Sequence, residues 1–314
     1  MSGDQGAPPT EARGWLTSPW IKALRLRTLP LAGAVILMPS GVLALQGLVQ
    51  IPVVLKALGT AFCLQILSNL ANDYGDALKG TDRQRIGPAR MVASGQISPK
   101  AMKAAVWMAV GLALTSGLWL IQPLWALGST FWIWLAVGLS AVVAAVRYTV
   151  GPSPYGYRSL GEVAVLIFFG PVPYLGMLVL HRVPVQAWDW APALGCGLVA
   201  ASVLNLNNLR DRHTDALSQK VTLAVRWGEH KARILQTLLV ATGLIGFLLY
   251  AFAHSVPLMW GWSLMALAYA KLLSRVWTVH EPAAYDAFLK PTALYLLCMS
   301  VMPWILYLRL LGNA

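Results

Sequence analysis

An all-α integral membrane bundle of about nine transmembrane helices is the fold this sequence predicts, and three observations carry that reading. Hydrophobic residues make up 57% of the chain and charged residues only 11%, where a soluble domain carries roughly a quarter charged. The mean hydropathy is +0.61. Apolar runs of roughly the 20 residues that a spanning helix needs follow one another with short polar links, and 314 residues accommodate about nine of them in one membrane domain over residues 21–314.

Residues 1–20 contain Gly, Pro, Asp4 and Glu11 with no basic segment leading into an apolar core. They read as a short disordered cytoplasmic head and not as a cleaved signal peptide. Trp15 to Arg27 mixes Trp, Leu and Ile with Lys22, Arg25 and Arg27, the pattern of an interfacial helix entering a bilayer. Spans are expected at about 29–49, 52–72, 100–121, 125–146, 160–180, 189–209, 232–253, 257–274 and 290–312. Pro39, Gly117, Pro171 and Pro173 fall inside them, which neighbouring helices tolerate by satisfying the freed backbone groups.

The net charge of +12 does not point to nucleic acid, because the basic residues lie between the apolar runs. With the amino terminus in the cytoplasm, 21 of the 24 Lys and Arg fall on the cytoplasmic side and only Lys56, Arg182 and Arg309 on the other. That asymmetry predicts the topology. The three cysteines, Cys63, Cys196 and Cys298, sit in apolar runs and read as buried, inert thiols. The five histidines are scattered without ligand spacing, so no zinc site is expected. Most of the fourteen Trp stand near span ends, as membrane-interface belts do.

Two polar stretches interrupt this pattern. Asn69 to Ser98 packs Asp73, Asp76 and Asp82 together with Lys79, Arg83, Arg85 and Arg90, and Asn205 to Gly228 again mixes Asn and Asp with Arg and Lys. These stretches hold five of the chain's twelve acids, Asp73, Asp76, Asp82, Asp211 and Asp215. Asn72 and Asp76 are four apart, Asp211 and Asp215 are four apart, and Asn208 stands three before Asp211. Each set therefore lies along one helix face. Carboxylates are hard ligands for a divalent cation, and neighbouring Lys and Arg suit the remaining charge of a phosphate. The pattern of helix, Asn/Asp cluster, basic loop and helix recurs in the same orientation, as a weak parallel repeat. Two such faces brought together would hold one or two Mg²⁺ ions and a pyrophosphate, the apparatus for ionising an allylic diphosphate.

The residues resemble the UbiA-type intramembrane prenyltransferases over nearly the whole chain. The matching blocks are Arg25 to Pro30, Asn72-Asp-Tyr-Gly-Asp76 with Lys79-Gly-Thr-Asp82, Gly87 to Arg90, Ser94-Gly95, Tyr148-Thr149, Pro154 to Tyr157, Leu160-Gly-Glu162, and Leu206 to Asp211 with Asp215, Lys220, Thr222-Leu223 and Arg226 to Gly228. The resemblance implies that Asn72, Asp76 and Asp82, with Asn208, Asp211 and Asp215, hold Mg²⁺ and the diphosphate of a polyprenyl diphosphate. Position 80 is Gly and the next acid is Asp82, a variant similar to the branch that prenylates 1,4-dihydroxy-2-naphthoate. The implied reaction is an electrophilic aromatic prenylation with loss of CO₂ and diphosphate, run at the cytoplasmic (inner) membrane with both Asp-rich loops in the cytoplasm and the prenyl tail in the lipid bilayer.

Several residues carry a plainer reading beside the functional one. Asp73 lies on another face than Asn72 and suits a structural role as well as ligation. Lys79, Arg90, Lys220 and Arg226 read as diphosphate contacts or as anchors that membrane loops need anyway, and Arg83, Arg85, Arg212 and Arg233 as topological charges. Arg25, Arg147 and Arg158 are candidates for the acceptor's carboxylate or the diphosphate, and Tyr148, Tyr155 and Tyr157 for the cavity wall or an interfacial belt. An acceptor such as 4-hydroxybenzoate is the alternative within the same chemistry. A cation-coupled transporter is the alternative outside it, and midplane acids and inverted repeats would favour that.

Overall fold

In the computed structural model, residues 18–81 and 87–313 are described, and among them eleven α-helices form with no strand beyond an isolated bridge between Arg158 and Val221. They are α1 (Pro19–Leu24), α2 (Leu29–Leu45), α3 (Ile51–Lys79), α4 (Pro99–Ile121), α5 (Ser129–Arg147), α6 (Gly161–Phe168), α7 (Pro171–Leu180), α8 (Trp190–Leu217), α9 (Leu223–His254), α10 (Val256–Val276) and α11 (Asp286–Gly312). Nine helical stretches among the described residues are long and apolar enough to cross a membrane. α1 and α2 form the first stretch, joined through Arg25 in the left-handed region at φ 52°. α6 and α7 form the fifth, broken at Phe169 and Gly170 where Pro171 and Pro173 follow.

Polarity is distributed as lipid demands. Trp107, Met108, Trp132, Phe252 and Leu267 are exposed on the outside, whereas Asp73, Asp76, Arg90, Arg210, Asp211, Asp215 and Lys220 are all buried. The apolar core gathers Met38, Leu43, Tyr174, Phe247, Trp262 and Leu296 from α2, α7, α9, α10 and α11. A second core, with Leu67, Leu70 and Met102, joins α3 to α4. α8 packs along α9 as α3 packs along α4, which is the repeat seen in the sequence.

The structure corrects several expected boundaries, and one cause explains most of them. α3 continues to Lys79 and α8 to Leu217, past the apolar runs expected to end at 72 and 209. Helical hydrogen bonds need no apolar side chains, so the Asn/Asp clusters are helical turns projecting beyond the run and not loops. α9 likewise begins at Leu223, with a kink at Gly228 (φ 78°). The head expected over 1–20 ends earlier, because Pro19 already opens α1; the remainder lies outside the described residues. The cysteines are not uniformly buried: only Cys196 is, while Cys298 is exposed on α11 and Cys63 is intermediate. An apolar run that spans a membrane has a lipid-facing side, so apolarity along the sequence does not imply burial within the protein.

Candidate active site

The polar ends of α3 and α8 meet at one end of the bundle, and the contact is electrostatic. The Lys220 ammonium lies 3.8 Å from Asp76 Oδ2 and 3.5 Å from Asp215 Oδ1, so one buried cation connects the two Asp-bearing helices. Asp76 is also reached by the Arg90 guanidinium at 3.4 Å. The Tyr157 hydroxyl donates to Asp76 Oδ1 at 2.8 Å and lies 2.6 Å from the Thr81 hydroxyl. The ammonium groups of Lys79 and Lys220 stand 5.4 and 5.6 Å from the Tyr157 ring centroid, within cation–π range. Lys79 itself is exposed and Lys220 buried.

Close backbone approach sets this arrangement. The Thr149 hydroxyl donates to the Ala71 carbonyl at 2.9 Å and reaches Asn72 Oδ1 at 3.3 Å. The approach is possible because residue 75 is glycine, where a Cβ would lie 2.8 Å from the Thr149 carbonyl carbon. Gly75→Ala is therefore expected to destabilise the protein by about 1–3 kcal/mol and to move Asn72 and Asp76 away from Tyr148; thermal unfolding of the purified variant checks it.

In the second motif, Asn208 donates to Glu162 Oε1 at 2.8 Å. Asp211 is held in a bidentate fork by its neighbour Arg210, Nε to Oδ1 and Nη2 to Oδ2 both at 2.8 Å. Arg210 also donates to Asn207 Oδ1 at 2.7 Å and pairs with Asp286 at the start of α11.

A cavity of about 1020 Å³ runs from this polar end into the bundle, lined at that end by Arg25, Asn72, Asp76, Arg90, Tyr148 and Lys220 and deeper by apolar residues such as Leu118, Trp134, Phe168 and Val172. Thus Asn72, Asp76, Arg90, Lys220, Arg25 and Tyr148 share one space. Asn208, Asp211 and Asp215 are buried beside it but do not line it. Arg147 is exposed with its guanidinium against Gly151, outside the lining. Arg226 is also exposed. Asp82, Arg83 and Arg85 lie outside the described residues.

Asp73 has a structural position. Both of its carboxylate oxygens accept backbone N–H groups, from Met91 at 2.9 Å and Val92 at 3.0 Å, so it pins the loop that carries Arg90. Arg212 and Arg233 do more than set topology, since both pair with Glu229 and Arg233 also donates to the Tyr285 hydroxyl at 2.6 Å. Burial, followed by the nearby carboxylates of Glu162 and Asp76, holds the Tyr148 phenol well above its ordinary pKa. Burial alone pushes Tyr155 up to about 12. Tyr157 is raised by burial and then by Asp76. All three therefore stay neutral at physiological pH, and Tyr157 remains a donor to Asp76.

The fit of a divalent cation is judged from these donors. Among the described residues no three His, Cys, Asp or Glu side chains converge as a metal cluster. However, Asn208 Oδ1 is a buried oxygen with no hydrogen-bond partner, and Asp76 and Asp215 already share a cation in Lys220. The oxygen-rich donor set suits Mg²⁺. Two residues with clear geometry received no role from the sequence, Arg210 and Glu162. A buried acid inside an apolar span was the available signal for Glu162; Arg210 was hidden among the positive charges that follow the apolar run of α8.

The UbiA prenyltransferase family matches residues 33–308 of the chain. Several bacterial relatives carry the name 1,4-dihydroxy-2-naphthoate octaprenyltransferase. The protein of Escherichia coli (strain K12) is 42% identical over 260 residues, 82% of this chain and 84% of that protein. The protein of Mycobacterium tuberculosis is 40% identical over 231 residues, 73% and 77% of the two chains. Among solved structures, a UbiA homolog from Archaeoglobus fulgidus bound to GPP and Mg²⁺ has the same fold, with a TM-score of 0.62 at 15% identity, covering 92% of this chain and 99% of that one.

Proposed function

The chain belongs to the UbiA prenyltransferase family, and from that premise we propose that it transfers a polyprenyl group from a polyprenyl diphosphate to 1,4-dihydroxy-2-naphthoate in menaquinone biosynthesis. The observation that carries the acceptor is the 42% identity, over most of both chains, to an enzyme named for it. The allylic C–O bond breaks with its electron pair leaving on the diphosphate. The electron-rich ring carbon bearing the carboxylate attacks the allylic carbon, and the C–CO₂ bond then breaks, returning its pair to the ring. The products are demethylmenaquinol, CO₂ and diphosphate.

Mg²⁺, when bound, neutralises charge that builds on the leaving diphosphate. Asn72, Asp76, Asn208, Asp211 and Asp215, with Asp82, are the residues that would hold it. Arg90 and Lys220, beside Asp76, take the remaining phosphate charge, and Lys79, exposed at the end of α3 over the Tyr157 ring, adds to the positive charge that attracts it. Arg25, in the cavity lining, suits the acceptor's carboxylate. The apolar depth of the cavity receives the prenyl chain and keeps water from the allylic cation. The concentration of Lys and Arg in the loops at this end supports a cytoplasmic entrance at the inner membrane.

Purified protein in liposomes, given 1,4-dihydroxy-2-naphthoate and a polyprenyl diphosphate, is expected to release pyrophosphate and CO₂ and to form demethylmenaquinone after oxidation, only with Mg²⁺ present. Turnover of 4-hydroxybenzoate but not of the naphthoate would overturn the acceptor assignment. Absence of metal-dependent pyrophosphate release with either acceptor would overturn the transferase reading.

A further inference from the structure

Glu162 is the one acidic residue within α6 and α7, it is 5% exposed, and no step of the proposed reaction uses it. A buried carboxylate costs several kcal/mol unless it is partnered, so its partner is informative. That partner is the Asn208 amide nitrogen, 2.8 Å from Oε1. Asn208 is 2% exposed, and its side-chain oxygen, which must point opposite to the nitrogen, is buried without a hydrogen-bond partner.

An amide has two orientations of nearly equal shape, and only the surrounding bonds decide which end faces where. Here the carboxylate accepts only from the nitrogen and repels the oxygen. Glu162 therefore fixes the Asn208 oxygen on the side away from itself, and Asn208 stands three and seven residues before Asp211 and Asp215, along the same face of α8. The backbone is built to bring the pair together. α6 lies so close to α8 that a Cβ at Gly197 would sit 2.2 Å from the Leu166 carbonyl oxygen. At the other end of the contact, a Cβ at Gly161 would lie 3.1 Å from Leu204 and 3.3 Å from the Tyr148 hydroxyl.

We propose that Glu162 is a positioning residue, which by accepting the Asn208 amide N–H orients Asn208 Oδ1 as a ready oxygen ligand for the divalent cation of the diphosphate site. The inference rests on the metal–diphosphate reading above. Groups that orient a metal ligand from behind are commonly worth 10–100-fold in metal affinity.

The test measures Mn²⁺ binding by electron paramagnetic resonance on the full-length protein in detergent, with geranyl thiolodiphosphate, which resists ionisation, as the second ligand. Glu162→Leu is expected to weaken Mn²⁺ about tenfold or more, and Glu162→Ser, which removes the same acceptor without adding apolar bulk, by a similar factor. Glu162→Gln keeps one acceptor oxygen but adds an NH₂ that can donate to Asn208 Oδ1 instead, so it is expected to lose clearly less affinity than Glu162→Leu, a partial rescue that a purely space-filling role does not require. Asn208→Leu should weaken binding as Glu162→Leu does, and the double variant no further, since the two residues act through one oxygen. Wild-type affinity in Glu162→Leu and Glu162→Ser, with loss in Asn208→Leu, would overturn the positioning role and leave the site intact. Equal loss in Glu162→Gln and Glu162→Leu would overturn it in favour of the negative charge. If the unaltered protein binds no Mn²⁺ with this ligand, the metal–diphosphate reading itself fails.

Discussion

Asp76→Asn is expected to lower kcat for prenyl transfer by a factor of about 10²–10³, the usual consequence of removing one preorganised electrostatic group at a developing charge. Asp76 is where three kinds of interaction cross: the neutral Tyr157 hydroxyl at 2.8 Å, the Arg90 guanidinium at 3.4 Å and the Lys220 ammonium at 3.8 Å. Asn is nearly isosteric and still accepts from Tyr157, and Lys220 keeps Asp215 at 3.5 Å, so the variant should fold. What it loses is the negative charge that balances Arg90 and Lys220 and attracts a divalent ion. Steady-state release of pyrophosphate over a Mg²⁺ titration, with thermal unfolding recorded on the same sample, makes the distinction. Activity within tenfold of the unaltered enzyme at saturating Mg²⁺ would remove Asp76 from the proposed machinery.

The helical bundle was legible in the sequence because lipid imposes a one-dimensional constraint: each span must be apolar for its whole length. The break between α6 and α7 was less so, since Pro171 and Pro173 are compatible with a bent helix as well as with a broken one. Asp76, Arg90 and Lys220 were legible as candidates for one polar cluster because acids are scarce here and these charges stand near them, and the structure brings the three together. The roles of their neighbours were not. Asp73 and Asp76 look alike in the sequence, yet one accepts two backbone N–H groups and the other faces the cavity. Helix phase separates their faces, but only the position of Met91 and Val92 decides what Asp73 does. Glu162 was visible as part of a family block, while its partner lies 46 residues away on another helix. Cys298 shows the reverse failure, an apolar run read as burial where the side chain is exposed on the outside of α11.

Arg210 carries the largest expected effect on stability. It is fully buried, and its guanidinium holds both oxygens of Asp211, the Asn207 side chain and Asp286 at the start of α11. The segment that follows the first motif also closes on it, since a Cβ at Gly87 would lie 2.6 Å from Arg210 Nη2. One planar cation therefore ties α8, α11 and the Arg90-bearing loop together. Arg210→Met matches its volume but leaves a buried carboxylate short of its bidentate partner, so a loss of about 3–5 kcal/mol is expected. Arg210→Lys should recover little of this, because a single ammonium cannot serve the fork and Asp286 at once. Equilibrium unfolding in mixed micelles measures both, and a loss below about 1 kcal/mol in Arg210→Met would mean that the surrounding helices hold Asp211 without it. The same variant also tests how Asp211 is shared. If the guanidinium orients Asp211 for the cation, Mn²⁺ affinity falls in the folded fraction of Arg210→Met. If the two cations compete for one carboxylate, affinity rises while stability falls, and Arg210 then acts as the charge that keeps Asp211 compensated until Mg²⁺ and the diphosphate arrive.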